Sequence, residues 1–198
     1  DLAFEPAAGV VSALATNPLT GLAYAATWGK DGAPAQVQAV DLHNLTARGA
    51  PTVLRSGFSV DQSAILVPER NVNSMLVLPQ EKLLWVAMGL AEPGTLIQFH
   101  MNDDGSLTRR AALGMPELKY GLAIALLDKM AQPAPVIYLL EQSAPPALVA
   151  VDALSLKLTV RWPLAAEDRE VGCGVLLPNG DVLLGMLGSD ERSERLGR

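Results

Sequence analysis

The chain's only imidazoles are His43 and His100, and each has an aspartate close by in sequence, Asp41 and Asp103. Imidazole and carboxylate together can hold a metal or move a proton, but a metal would need a further ligand converging on each pair. Both histidines fall at the ends of alternating segments, where acidic turn tips are routine, so both are expected as solvated turn residues. Asp41 and Asp152 recur at equivalent places, which is best explained by side chains capping turns through hydrogen bonds to the backbone. Asn102-Asp103-Asp104-Gly105 is similar to the start of a calcium loop, yet it lacks the spaced oxygen ligands and the closing glutamate, so it reads as a turn. The single cysteine, Cys173, lies in the apolar run Val171-Gly172-Cys173-Gly174-Val175 and is expected to be a buried, inert thiol. There is no serine elbow, no phosphate-cradling glycine loop and no Cys/His cluster. The sequence therefore offers no catalytic residue, no metal ligand and no cofactor site, and it leaves the ligand-binding residues unassigned. Asn44-Leu45-Thr46 is a glycosylation sequon on an expected loop, making Asn44 the candidate modification site and favouring a secreted, periplasmic or organellar compartment over the cytoplasm.

Composition narrows the classes further. The chain has 198 residues, enough for one substantial core, and 18% of them are charged, below the roughly 25% of an average soluble domain. Apolar runs stop well short of the roughly 18 to 20 residues that span a bilayer, so no membrane insertion is expected. A net charge of −6 with no Lys/Arg cluster argues against nucleic acid and anionic membranes as partners. The start, Asp1-Leu2-Ala3-Phe4, shows neither a signal peptide nor a Met, and a processed chain or a piece of a longer one is expected.

The elements that must position these residues are strands. Ser74-Met75-Leu76-Val77-Leu78, Leu83-Leu84-Trp85-Val86-Ala87-Met88, Thr95 to Met101 and Thr108 to Met115 are four short runs separated by Pro, Gly, Asn and Asp. That is the sequence of an antiparallel four-stranded meander, one blade of a β-propeller. The same pattern precedes it, with runs at Val10 to Ala15, Leu22 to Trp28, Gln36 to Leu42 and Ala47 to Leu54. It also follows, at Tyr120 to Asp128, Val136 to Gln142, Ala147 to Asp152 and Lys157 to Trp162. A last pair flanks Asn179-Gly180, a strong hairpin signal. Residues 121–130 would also suit a buried helix, and their place in the repeat selects strand. Second strands anchored on Leu22, Leu84, Val136 and Val182 recur at intervals of roughly 45 to 60 residues, near the roughly 40 to 50 of propeller repeats. The expected organisation is a single all-β domain over 1–198, with blade units near 10–54, 64–115, 120–164 and 171–188 and a charged tail over 189–198. Trp28, Trp85 and Trp162 are expected between blades.

The run Gly94-Thr95-Leu96-Ile97-Gln98-Phe99-His100-Met101-Asn102-Asp103-Asp104-Gly105-Ser106-Leu107-Thr108 resembles the repeat of YVTN-type and lactonase-like β-propellers. Thr20-Gly21-Leu22-Ala23-Tyr24 and Asn179-Gly180-Asp181-Val182-Leu183 are similar to that family's turn into the second strand. The resemblance implies a partial propeller of about three and a half blades, where closed rings have roughly four to eight. Uncovered blade faces imply a protein partner or self-association. The expected function is a non-catalytic binding or assembly module mediating protein–protein interaction. The alternative is a lactonase-like hydrolase or isomerase acting on a sugar-derived substrate, its site on residues 55–73 and 115–120 with Arg55, Arg70 and Lys119. Enzymes of that kind group Arg and His on one face, and Pro116-Glu117-Leu118-Lys119-Tyr120 supplies neither.

Overall fold

The computed structural model describes residues 10–27, 35–54, 72–89, 94–114, 117–118, 121–143, 145–165 and 171–186. Among them there is no helix. The strands are β1 (Val11–Asn17), β2 (Leu22–Thr27), β3 (Gln36–Asp41), β4 (Thr46–Val53), β5 (Val72–Leu78), β6 (Leu83–Met88) and β7 (Thr95–Met101). They continue as β8 (Leu107–Leu113), β9 (Leu122–Asp128), β10 (Val136–Glu141), β11 (Ala147–Asp152), β12 (Leu158–Pro163), β13 (Val171–Leu176) and β14 (Val182–Met186). Consecutive strands pair antiparallel in three four-stranded sheets, β1 to β4, β5 to β8 and β9 to β12, followed by the pair β13–β14. The Ala- and Leu-rich run over 121–130 is strand β9, as its place in the repeat required.

Turn chemistry sets these registers. Asn17 Oδ1 accepts from Leu19 N–H at 3.0 Å, and Gly21 closes the first hairpin at φ 68°. Lys82 holds the matching left-handed position in the second sheet at φ 51°, and Gly180 in the last pair at φ 87°. At the third-strand ends, Asp41 Oδ1 accepts from His43 N–H at 2.9 Å, and Asp152 Oδ1 accepts from Leu154 and Ser155 N–H at 3.0 and 2.7 Å. Each of those turns then carries a leucine at φ 54°, Leu45 and Leu156. The recurrence of Asp41 and Asp152 is thus one turn built twice. Each first strand also carries an extra residue near its start, at Ser12, Asn73, Ala123 and Gly172, where the pairing with the second strand skips one position. A bulge increases local twist and bends the strand, so the four first strands deform at corresponding points.

Side chains alternate across a strand, and here both faces are covered. On β6, Leu84, Val86 and Met88 enter a core shared with Tyr24, Val37 and Leu54 of the first sheet. Its other face, Leu83, Trp85 and Ala87, enters a core shared with Leu122, Ile137 and Val149 of the third. Two-sided burial explains why β6 is apolar throughout while the outer strand β8, half in water, carries Thr108, Arg109 and Arg110. Side chains bridge the sheets as well. Gln98 Nε2 donates to the carbonyls of Ala153 and Leu154 at 3.0 and 3.3 Å, and Ala125 N–H donates to Ser74 Oγ at 3.2 Å. Gly105, at φ 90°, lies so close to the first sheet that a Cβ there would stand 2.8 Å from the Cβ of Arg48.

Two expectations are corrected. Cys173 is exposed, because β13–β14 is only a pair and nothing described covers that face; its Sγ lies over Gly185, its cross-strand partner, where a side chain would clash. Trp85 is fully buried between sheets, but Trp162 on the outer strand β12 is 43% exposed. Trp28 lies outside the described residues.

Candidate functional site

The residues with chemical potential are dispersed and mostly serve turns. His43 is exposed beyond β3, and His100 is half-buried inside β7, paired across to Leu83 and Thr108. The Arg48 guanidinium, 2.9 Å from Asp41, and the His43 amide hold the Asp41 carboxyl below the usual carboxylate range. Lys82 at 2.6 Å does the same for Asp103, and the Ser106 hydroxyl and amide do so for Asp104. The Ser155 amide leads the lowering at Asp152. Such carboxylates favour the folded state above pH ~4, a contribution lost as the pH falls below that value. Among the described residues no group of three or more His, Cys, Asp and Glu is placed to hold a metal ion. Asn44 is exposed, and its amide, turned with nitrogen inward, donates to both Asp41 carboxylate oxygens at 2.7 and 3.0 Å. Arg55, Arg70 and Lys119 lie outside the described residues.

The sequence did not point to the most deeply placed charge among the described residues. Glu141, at the end of β10, is fully buried and paired with Arg161 of β12. Arg161 Nη2 also donates to the Glu117 carbonyl at 2.5 Å, tying the segment that buries Leu118 to the outer strand. The pair joins non-neighbouring strands: Leu139 faces Val149, Val149 faces Arg161, and Glu141 lies two residues beyond Leu139 on the same side. Tyr24 is likewise buried, and desolvation, reinforced by the Asp104 carboxylate, pushes its phenol up to about 12. The unfolded phenol ionises near pH 10, so stability falls as the pH rises from about 10 towards 12, by on the order of 2 kcal/mol. Tyr24→Phe is expected to flatten that stretch of a denaturation-versus-pH curve.

Two surfaces remain as candidates. First strands β1, β5, β9 and β13 succeed one another as neighbours, and their residues line one groove of about 440 Å³. The other surface is the outer face of β13–β14. The second strands β2 and β6 are buried at every residue, whereas β14 is exposed or half-exposed wherever its side chains are described. Val175 and Leu183, paired across the hairpin, are 52% and 39% exposed.

A solved structure titled "Structure of Dos1 propeller" superposes on 92% of this chain with a TM-score of 0.54 and 13% sequence identity. The chain is an arc of a β-propeller. Its sheets are blades, the two shared cores are inter-blade cores, and the groove follows the inner strands. The arc spans 44% of the length of that propeller. At this identity the likeness speaks for fold alone. No family model matches the chain, and no curated protein matches it.

Proposed function

We propose that this propeller arc is a non-catalytic module for protein–protein interaction, of the YVTN type, and that the outer face of β13–β14 is its docking surface. The observation that carries the reading is the contrast between β14 and its counterparts: a second strand is covered on both sides in the first two blades, and here Val175 and Leu183 stand in water. Apolar blade faces are made to be covered by another blade-like surface, and a second copy of the chain presents such surfaces itself. The YVTN assignment rests on the run Gly94–Thr108 with its Asn-Asp-Asp-Gly turn, and on the turns into the second strand at Thr20–Tyr24 and Asn179–Leu183.

The test is sedimentation equilibrium over a concentration series. The chain is expected to sediment above its single-chain mass of 20.9 kDa, and the double variant Val175→Glu, Leu183→Glu to return to it with unchanged circular dichroism. Single-chain mass for the parent at every concentration would count against the docking face. Turnover on a panel of lactones and sugar phosphates would overturn the non-catalytic reading. Asn44 as a glycan acceptor belongs to the same proposal and is supported by its exposure; expression through a secretory pathway should add glycan mass that Asn44→Gln removes, and an unmodified secreted chain would refute it.

A further inference from the structure

The inner groove has a composition unlike a water-filled channel. Leu14 of β1, Leu76 of β5, Leu126 and Leu127 of β9 and Leu176 of β13 contribute to its lining, so all four inner strands turn aliphatic surface into one concavity. Leu14 is 65% exposed there. A volume of about 440 Å³ falls within the roughly 300 to 1,000 Å³ of small-molecule sites. Among the described lining residues one is charged, Lys129, just beyond the end of β9. Its neighbour Asp128 is turned to the backbone, its Oδ1 accepting from Met130 and Ala131 N–H at 2.9 and 3.1 Å. An aliphatic concavity edged by the Lys129 ammonium is complementary to a molecule with an apolar tail and a single anionic head.

We propose that the inner groove binds an aliphatic carboxylate of medium chain length, its tail along the leucines of the four inner strands and its carboxylate on Lys129 Nζ. The groove is open along its length, so the tail needs no conformational change to enter. Binding is driven by tail burial, and the ammonium sets the orientation and selects anion over cation.

The experiment is calorimetric titration of the chain with octanoate, decanoate and dodecanoate below their aggregation thresholds, with dodecanol and dodecyltrimethylammonium as head-group controls. One saturable site is expected, with affinity rising about twofold per added methylene, since an open groove buries each on one side. Lys129→Glu should weaken dodecanoate about fivefold or more and leave dodecanol unchanged, while Lys157→Glu, an exposed lysine outside the groove, should change neither. Leu14→Asp, at an exposed position, should weaken both ligands. Chain-length-independent binding, equal affinity for the trimethylammonium, or equal losses in Lys129→Glu and Lys157→Glu would overturn the proposal. So would a dimer whose groove is filled by the second copy and which takes up no dodecanoate. A monomeric chain that binds dodecanoate as described would leave this inference standing while removing the docking face.

Discussion

Trp85→Ala is expected to cost about 3 to 5 kcal/mol, a large share of the roughly 5 to 15 kcal/mol that holds a domain together. Trp85 is fully buried in the core between the second and third blades, where it stands on the same face of β6 as Leu83 and Ala87. Its removal leaves a cavity that two rigid sheets cannot close by collapse. Both blades lose contacts at once, so urea denaturation should show a lowered midpoint with the transition still shared by the two. Trp162→Ala is the control. That side chain is 43% exposed on β12, and its loss should cost within about 1 kcal/mol. Equal losses for the two tryptophans would contradict the inter-blade placement of Trp85.

The second large effect concerns the ion pair of the fully buried Glu141 with Arg161, which is 34% exposed. Arg161→Met is expected to destabilise the chain by about 3 to 5 kcal/mol, because it strands the fully buried Glu141 carboxylate without its guanidinium and releases the Glu117 carbonyl. The double variant Glu141→Leu, Arg161→Met should recover most of that loss, since two apolar groups need no mutual compensation. Acidity separates this from simple loss of packing. In Arg161→Met the buried carboxyl no longer faces the guanidinium and favours its protonated form, so the folded state binds the extra proton and stability should rise as the pH falls from 7 to 5. A variant whose denaturation midpoint ignored pH over that range would mean that Glu141 is not held as a charge by Arg161.

Sequence patterning made the strands legible because each is short, apolar or alternating, and bounded by residues that cannot continue a ladder. Asp41 and Asp152 were readable as turn caps for a local reason: the carboxylate bonds amides two and three residues on. Gly180 and Gly21 marked hairpins on the same local logic, and Lys82 shows its limit, since a lysine takes the left-handed place that glycine holds elsewhere.

What spacing did not disclose depends on which strand lies beside which. Glu141 and Arg161 meet across β11, so their contact follows from two registers together. Trp85 lies in an unbroken apolar run and Trp162 between Arg161 and Pro163, and their places in a second and an outer strand separate core from surface. Cys173 follows the same rule: its glycine-flanked apolar run would be buried between two full blades, and in β13–β14 it is exposed. The leucines of the inner groove read as ordinary core positions, and the side-by-side placement of four first strands is what brings them to one concavity.

The docking face is the centre of this account, and amide hydrogen exchange along β14 measures it most directly. Among the described strands, Val182–Met186 pairs with β13 alone. If that blade is a docking surface, protection of its amides should rise with protein concentration, while amides of β6, already covered on both faces, stay constant, and Val175→Glu, Leu183→Glu should abolish the rise. Concentration-independent exchange along β14, identical in parent and variant, would contradict the claim that this blade face is there to be covered.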